Sequence, residues 1–537
     1  MSGEARGRRR RRAAAATLAI LGACAPAAIA RPAAAETLMD AIALAYQTNP
    51  TLRSERAGER AVGETYVQAR AALGPQATLN GTGGYSVARV QGAPSFFSAQ
   101  GTDTTYRGST GTATLSVVQP VFNFGATNAD IRATRSSVLA GREELRNAET
   151  ELIGKVVTAY MDVRRDRDTV RILREALTRL GGQFEETRAK TQAGALTRTD
   201  LAEAQARLLS LQTQLDGAQG RLAASNAAYV AVVGQAPEEL QAPPPLTLVP
   251  TKIEDAFASA NANNAQILSA VGQEQAARER IRQAKSAYGP SLSVRVDAGV
   301  QPNLPYVPGQ YDRNVTVTAV LSQPLFTSGM SASKVREAAD RDAQAMLQID
   351  VARRQVVQNV SQAWGQLTST RIALDHAKAE VAAYETAVEG TEIEERVGRR
   401  STFELVNNEV ELASARISLI STEHDEYLAQ ASVLAGMGLL EARYLTPGAA
   451  LYDPDSRLKR NLKKDAAPWE GAVQGLNTTL APRATAPSLT SPGRVAETGS
   501  AAAAQDGLAP EPAAQSVSEP APGPAADQPI RTGAPEP

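Results

Sequence analysis

The chain has 537 residues, with 56 basic against 57 acidic side chains, one cysteine, two histidines and 4% aromatics within 43% hydrophobics. That length admits two or more domains or one elongated repeat, and the balanced charge removes the global field that draws nucleic acid. One cysteine and two histidines exclude a disulfide framework and leave little for a metal site, so no metal and no cofactor is expected.

The N-terminus reads as an export signal. Arg8 to Arg12 form a basic region, Ala13 to Ala30 an alanine-rich apolar stretch, and "AIA" (28–30) or "AAA" (33–35) offers small-residue cleavage. The stretch is too short and too weakly apolar for a membrane span. A second reading stays open: "LGAC" (21–24) resembles a lipoprotein box that would keep Cys24 as an acylated N-terminus. The two downstream cleavage sites favour ordinary removal of residues 1–35.

From Leu38 to about Leu73 the apolar spacing predicts helix, broken at Asn49-Pro50, where proline disfavours helix before it and can start the next one. After Gly74-Pro75 the chemistry turns to strand. "TATLSVVQPVF" alternates Ala113, Leu115 and Val117 with Thr112, Thr114 and Ser116, giving one apolar and one polar face. Pro120 is expected to end pairing, and Gly125 to let the backbone turn into helix. From Asn128 to about Gln192 no proline occurs, and Val156, Val163, Val170, Leu177 and Phe184 recur every seventh residue. Thr199 to Val233 carries Leu201, Leu208, Leu215, Leu222 and Tyr229 at the same step, a sustained coiled-coil pattern. A break at Gly194 folds these two helices into an antiparallel hairpin.

The pattern then comes back. Gln119, Pro120, Phe122 and Gly125 meet Gln323, Pro324, Phe326 and Gly329 at a shift of 204 (323 − 119), and Gly194 meets Gly398. Upstream the shift is 215: Asn49 meets Asn264, and Gly74-Pro75 meets Gly289-Pro290. The difference predicts a longer loop in the first copy. Two copies of roughly 200 residues are each a full structural unit. In the second, "SLSVRVDAGV" and "RNVTVTAVLSQPLF" supply two more strands, and Leu405, Leu412, Leu419 and Val433 keep the heptad, with Glu426 interrupting the seam. From about Ala466 the chain is rich in Ala, Pro, Ser and Gly, which predicts a disordered tail over 466–537.

Four amphipathic strands do not close a spanning barrel, and open edges are not tolerated in lipid. The expected solution is a mixed α and β membrane protein in which three chains pool about twelve strands, continued by a coiled-coil tube.

Over roughly 37–469 the sequence resembles the TolC family of outer-membrane efflux proteins. The resemblance rests on "DAIALAYQTNPTLRSERA", "QARAALGP", both Gln-Pro-x-Phe-x-x-Gly corners, both glycine tips followed by Asp200-Leu201 or Glu404-Leu405, and "LYDPDSR" near the end. It implies a homotrimeric duct anchored in outer-membrane lipid. The duct would be joined through a periplasmic adaptor (membrane fusion protein) to an inner-membrane ABC or proton-driven transporter, for type I secretion or multidrug efflux. Domains would run 36–250 for the first repeat and 251–465 for the second with its equatorial segment, while "APPPLTLVP" (242–250) and the stretch around Tyr452 would join the equatorial belt.

The resemblance also implies a periplasmic gate. Glu404 stands where the family has Asp, Arg400 would reach to Thr199 and Asp200 of the first tip, and a second family acid is here Asn407. Gly194 and Gly398 would mark the tips that meet the adaptor. Three related carboxylates at a narrow axis repel one another and favour cations. The plainer reading makes Arg400 and Glu404 an exposed i,i+4 pair worth about 0.2–0.5 kcal/mol. An enzyme is not expected: no Gly-x-Ser-x-Gly elbow occurs, and His376 and His424 lie in charged helical stretches that predict solvated rings. "GTGGY" (81–85) precedes strand rather than helix and is no phosphate loop. A non-channel trimeric adhesin and a periplasmic coiled-coil adaptor are the competing classes. The adhesin does not explain the duplication, and the adaptor does not explain four strands.

Overall fold

A computed structural model describes residues 36–91, 103–302, 311–446, 451–464 and 470–479. The expected export signal, Cys24 and residues 480–537 lie outside that set. Two helices, α1 (Leu38–Thr48) and α2 (Pro50–Ala71), lead into strands β1 (Gln76–Gln91) and β2 (Asp103–Phe122). Helices α3 (Ala126–Gln192), α4 (Arg198–Val233), α5 (Ile253–Asn263) and α6 (Ala265–Lys285) follow, then strands β3 (Ser291–Pro302) and β4 (Tyr311–Ser322). The chain continues through α7 (Met330–Arg396), α8 (Thr402–Gly436), the short α9 (Ala442–Leu445), α10 (Pro454–Lys464) and α11 (Glu470–Thr479).

The helix starts are written in local chemistry. Thr37 caps α1 reciprocally with Asp40, and Asn49 caps α2 by accepting from Thr51 N at 2.9 Å, with Pro50 already set for the first turn. Asn49 also donates to the Val232 carbonyl at 2.9 Å, tying the start of α2 to the end of α4. The same joint recurs: Asn264 caps α6 through Gln266 N at 2.9 Å and donates to the Gly436 carbonyl at 2.9 Å.

Helices α3 and α7 are each 67 residues, on the order of 100 Å at 1.5 Å per residue. They pair with α4 and α8 across tips where Gly194 (φ 77°) and Gly398 (φ 72°) take the left-handed conformation that reverses the chain. The heptad positions Val156, Val163, Val170, Leu211, Leu215 and Tyr229 are buried, while Leu177 and Phe184 are only partly covered. The main core gathers α1, the middle of α3 and α7, and the ends of α4 and α8 around Tyr160, Tyr229, Leu367 and Leu434. A smaller cluster nearer the tips joins Val170, Leu173, Leu211, Leu215, Val406 and Ala413, so α3 packs on its own partner and on α8. Glu426 interrupts the second seam as expected and, half-buried, accepts from Arg371 at 3.4 Å.

The four strands form one antiparallel sheet in the order β1-β2-β3-β4. Its register builds continuous rows. Leu79, Leu115, Ala298 and Val315 lie side by side, as do Ala77, Val117, Val296 and Val317. Between them run Thr78, Ser116, Asp297 and Thr316. One face is therefore apolar and the other polar, because directly paired residues share a face.

Three expectations change. The extra residues between Pro75 and Gln119, expected in a loop, lie largely in strand, since β1 and β2 are 16 and 20 residues against 12 each for β3 and β4. Pro120 does not end pairing. Pairing with β1 stops at Val118, but β3 continues through Pro120 and Phe122, skipping Val121 at a bulge. Proline removes only one donor, and a bulge accommodates it. Pro324 does fall beyond its strand, which ends at Ser322.

The tail is the third correction. Within the expected disordered stretch, Glu470–Thr479 is a helix. Val473 packs with Ala69, Leu73 and Ile131, and Asn477, 2% exposed, donates to the Val121 carbonyl at 3.0 Å and accepts from Asn123 N at 3.2 Å. Asn128 Nδ2 adds a bond to Thr478 Oγ1 at 3.4 Å, and these contacts hold a segment whose composition alone promised nothing.

Both strand-to-helix corners use two consecutive left-handed residues. Phe124 (φ 52°) precedes Gly125 (φ 85°), and Ser328 (φ 49°) precedes Gly329 (φ 83°); each glycine caps the long helix that follows. Gly289 touches the first corner so closely that a Cβ there would lie 2.0 Å from Phe124 Cγ.

Candidate gate at the hairpin tips

Each tip restarts its helix with a reciprocal cap. Thr197 N and Oγ1 both donate to Asp200 Oδ2 at 2.9 Å, and Asp200 N returns a bond to Thr197 Oγ1 at 3.2 Å. At the second tip Ser401 N donates to Glu404 Oε2 at 3.4 Å, and Glu404 N to Ser401 Oγ at 3.2 Å. The Thr197 backbone N–H, then its hydroxyl, hold the Asp200 carboxyl below the usual carboxylate range. So Asp200 and Glu404 are capping residues of α4 and α8. The sequence carried this signal as Thr197-x-x-Asp200 and Ser401-x-x-Glu404, which the site reading above passed over.

Arg400 is exposed. Its Nε donates to Glu394 Oε2 at 2.9 Å, and its Nη1 lies 3.5 Å from Glu404 Oε1. Within one chain it is not brought to Thr199 or Asp200: Thr199 is exposed, and Asp200 is occupied by Thr197. Glu394, which the sequence reading did not single out, is the stronger partner by distance. Asn407 accepts from Arg207 Nη2 at 3.3 Å and so links α8 to α4.

Further bridges tie the two hairpins together above the tips. Lys190 Nζ lies 2.9 Å from both Glu186 and Glu395, and Thr402 Oγ1 donates to Glu395 at 3.0 Å. Lys190, then Thr402, outweigh burial and hold the Glu395 carboxyl low. Glu409, buried, accepts from Gln183 at 3.1 Å and faces Arg179 at 3.6 Å; burial pushes its carboxyl up, opposed by that guanidinium.

His424 overturns the solvated-ring expectation. It is 5% exposed, with Nε2 2.8 Å from Asp162 and Nδ1 2.8 Å from Asp425. Arg165 completes the group, 3.0 Å from Asp162 and 2.9 Å from Asp166. The heptad left position 424 off the apolar stripe, but α3 of the first hairpin covers it. His376 is exposed. Among the described residues no cluster of three or more His, Cys, Asp or Glu could hold a metal ion, and no helix is long and apolar enough to cross a membrane.

The chain is similar to several known proteins. The outer membrane efflux protein BepC of Brucella suis is 29% identical over 427 residues, covering 80% of this chain and 91% of that protein. The outer membrane protein TolC of Escherichia coli is 24% identical over 450 residues, covering 80% and 87%. The alkaline protease secretion protein AprF of Pseudomonas aeruginosa is 25% identical over 433 residues, covering 77% and 87%. Among solved structures, the Campylobacter jejuni CmeC outer membrane channel superposes with a TM-score of 0.64 at 16% identity, over 80% of this chain and 90% of its own. The family model for outer membrane efflux proteins matches residues 41–235 and 257–439, and the chain belongs to that family.

Proposed function

We propose that three copies of this chain form an outer-membrane channel whose sheets pool into one barrel and whose hairpins continue it as a periplasmic tube. The observation that carries the reading is the sheet: apolar rows run across all four strands, yet among the described residues the outer sides of β1 and β4 have no strand beside them. Lipid does not tolerate such edges, and three four-stranded sheets supply the twelve strands a closed barrel can use. The apolar residues left open on the second half support the same reading. Leu325 and Phe326 are 92% and 87% exposed, and Leu347 and Val351 are 65% and 58% exposed along α7, where a neighbouring copy would cover them.

In this reading 36–250 and 251–465 are two repeats of one unit, consistent with α3 matching α7 in length and Asn49 repeating the joint of Asn264. The tube's open end, at Gly194 and Gly398, receives a periplasmic adaptor and through it an ABC or proton-driven transporter. Relatives named for efflux and for protease secretion support both multidrug efflux and type I secretion as uses of the duct. Thr199, Asp200, Arg400, Glu404 and Asn407 form the gate, with Arg400 exchanging Glu394 for the neighbouring chain's first tip when the mouth is closed. The test is direct. Detergent-extracted protein should have the native mass of three chains and conduct ions in planar bilayers. A one- or two-chain mass, or a trimer without conductance, overturns the reading.

A further inference from the structure

The C-terminal segment leaves a charged face that the channel does not use. Helix α10 carries Arg457, Lys459, Arg460, Lys463 and Lys464 against a single carboxylate, Asp455, in a chain whose overall charge is −1. The face it turns inward is fully engaged. Leu458 packs over Gly63 of α2, and Asn461 Nδ2 donates to Glu64 Oε1 at 2.6 Å. Asp455 pairs with Arg142 of α3, and Tyr452, just before the helix, donates to Glu59 at 3.2 Å. On the opposite arc Arg457, Lys459, Arg460 and Lys463 are exposed. Lys459 is held by Asp455 at 3.2 Å, whereas Arg457, Arg460 and Lys463 have no acidic partner among the described residues.

The position of this arc matters as much as its charge. Contacts step from Glu59 at Tyr452, through Gly63 at Leu458, to Glu64 at Asn461, so α10 runs parallel to α2 and toward the sheet. From Glu64 the end of α2 at Ala71 is about 10 Å further along the helix. There α11 is fixed beneath β2 through Asn477, Val121 and Asn123. The cations therefore lie on the sheet side of α2, about 10 Å short of its end, where their long side chains would reach toward the headgroups of the periplasmic leaflet around a spanning sheet.

We propose that α10 is a headgroup-binding strap: its outward arginines and lysine take the phosphates of anionic phospholipid in the periplasmic leaflet of the outer membrane. Arginine forks match phosphate bidentately, and a docked helix spends no ordering entropy on presenting them. The inference rests on the sheet spanning the membrane, as proposed above.

The experiment uses the full chain in detergent, titrated with phosphatidylglycerol or phosphatidylcholine, with retained lipid counted by native mass spectrometry. At roughly fivefold per basic residue, the combined Arg457→Gln, Arg460→Gln, Lys463→Gln variant should bind phosphatidylglycerol about 100-fold more weakly and phosphatidylcholine unchanged. A control removing Arg198, Arg399 and Arg188 from the far end, at equal loss of charge, should bind like the parent. Equal retention by parent and α10 variant overturns the proposal. So does cation-dependent capture by purified peptidoglycan with phosphatidylglycerol retention unmoved, which would assign the face to the cell wall. Conductance of the parent, measured in parallel, reports on the channel reading separately.

Discussion

The docking of α11 gives the sharpest perturbation. Asn477→Ala removes an amide that stands in for a missing ladder partner: it supplies a donor to the Val121 carbonyl at the bulge and an acceptor to Asn123 N at the start of the corner. The site is buried, with Asn477 2% and Val473 9% exposed. Each neutral bond contributes about 0.5–1.5 kcal/mol net, and two backbone groups left unpaired push the total toward the upper end, about 2–3 kcal/mol. That is roughly a 30- to 140-fold shift in the docking equilibrium. Amide hydrogen exchange across 470–479 and at Asn123 should accelerate by at least tenfold, while exchange in the middle of α3 stays as it was. Ending the chain at residue 469 should expose the corner in the same way, and ending it at 480 should not. Unchanged exchange at Asn123 in the Asn477→Ala protein would refute the clamp.

At the tips, Arg400→Ala should raise single-channel conductance. Glu404→Gln, which keeps the cap, should reduce cation selectivity and block by multivalent cations; unchanged values for both make these residues plain surface charges. Gly289→Ala should cost about 1–3 kcal/mol or more by driving a methyl into Phe124, and Phe124→Ala should recover most of it, a coupling readable in thermal midpoints of the four proteins of the cycle. Burial pushes the Asp162 carboxyl up, but His424 and then Arg165 win and hold it below the usual range. A depressed carboxylate stabilises the fold above its unfolded pKa of about 3.9, and that contribution is lost as pH falls through the lower folded value. The stability difference between the parent and Asp162→Asn should therefore be full at pH 6 and shrink below about pH 4; a difference independent of pH would remove the charge argument.

How much of this was legible in the sequence depends on how local the determinant is. The Asn49-Pro50 break, the alternating strands, the two glycine corners and the heptads are all read from neighbours within one or two turns, and each element lies within a few residues of its expected place. Asn477 was not legible, because nothing near it in sequence shows that its amide meets a bulge more than 350 positions earlier. His424 failed for the same reason: its own helix is charged, and only α3 of the other hairpin buries it. Pro120 was misplaced because strand pairing is decided by the partner, and β3 runs past a residue that β1 does not. The residues of the proposed gate sit between these cases. Their positions at the tips follow from Gly194 and Gly398, but the choice of Glu394 as the Arg400 partner depends on how the last turn of α7 meets the first of α8.

The reciprocal caps at Thr197 and Ser401 divide the hairpin tips into a fixed and an adjustable register. Asp200 and Glu404 must stay acids or close amides to close the turns they begin, so drift toward a basic or small side chain there spends helix stability. One turn beyond Glu404, Asn407 closes no helix end and accepts a single bond from Arg207. A change of charge at 407 alters the bond from Arg207 that links α8 to α4 but removes no helix cap. In the duct proposed above, the charge of the mouth is therefore changed at least cost to the helices at 407, with the caps left in place.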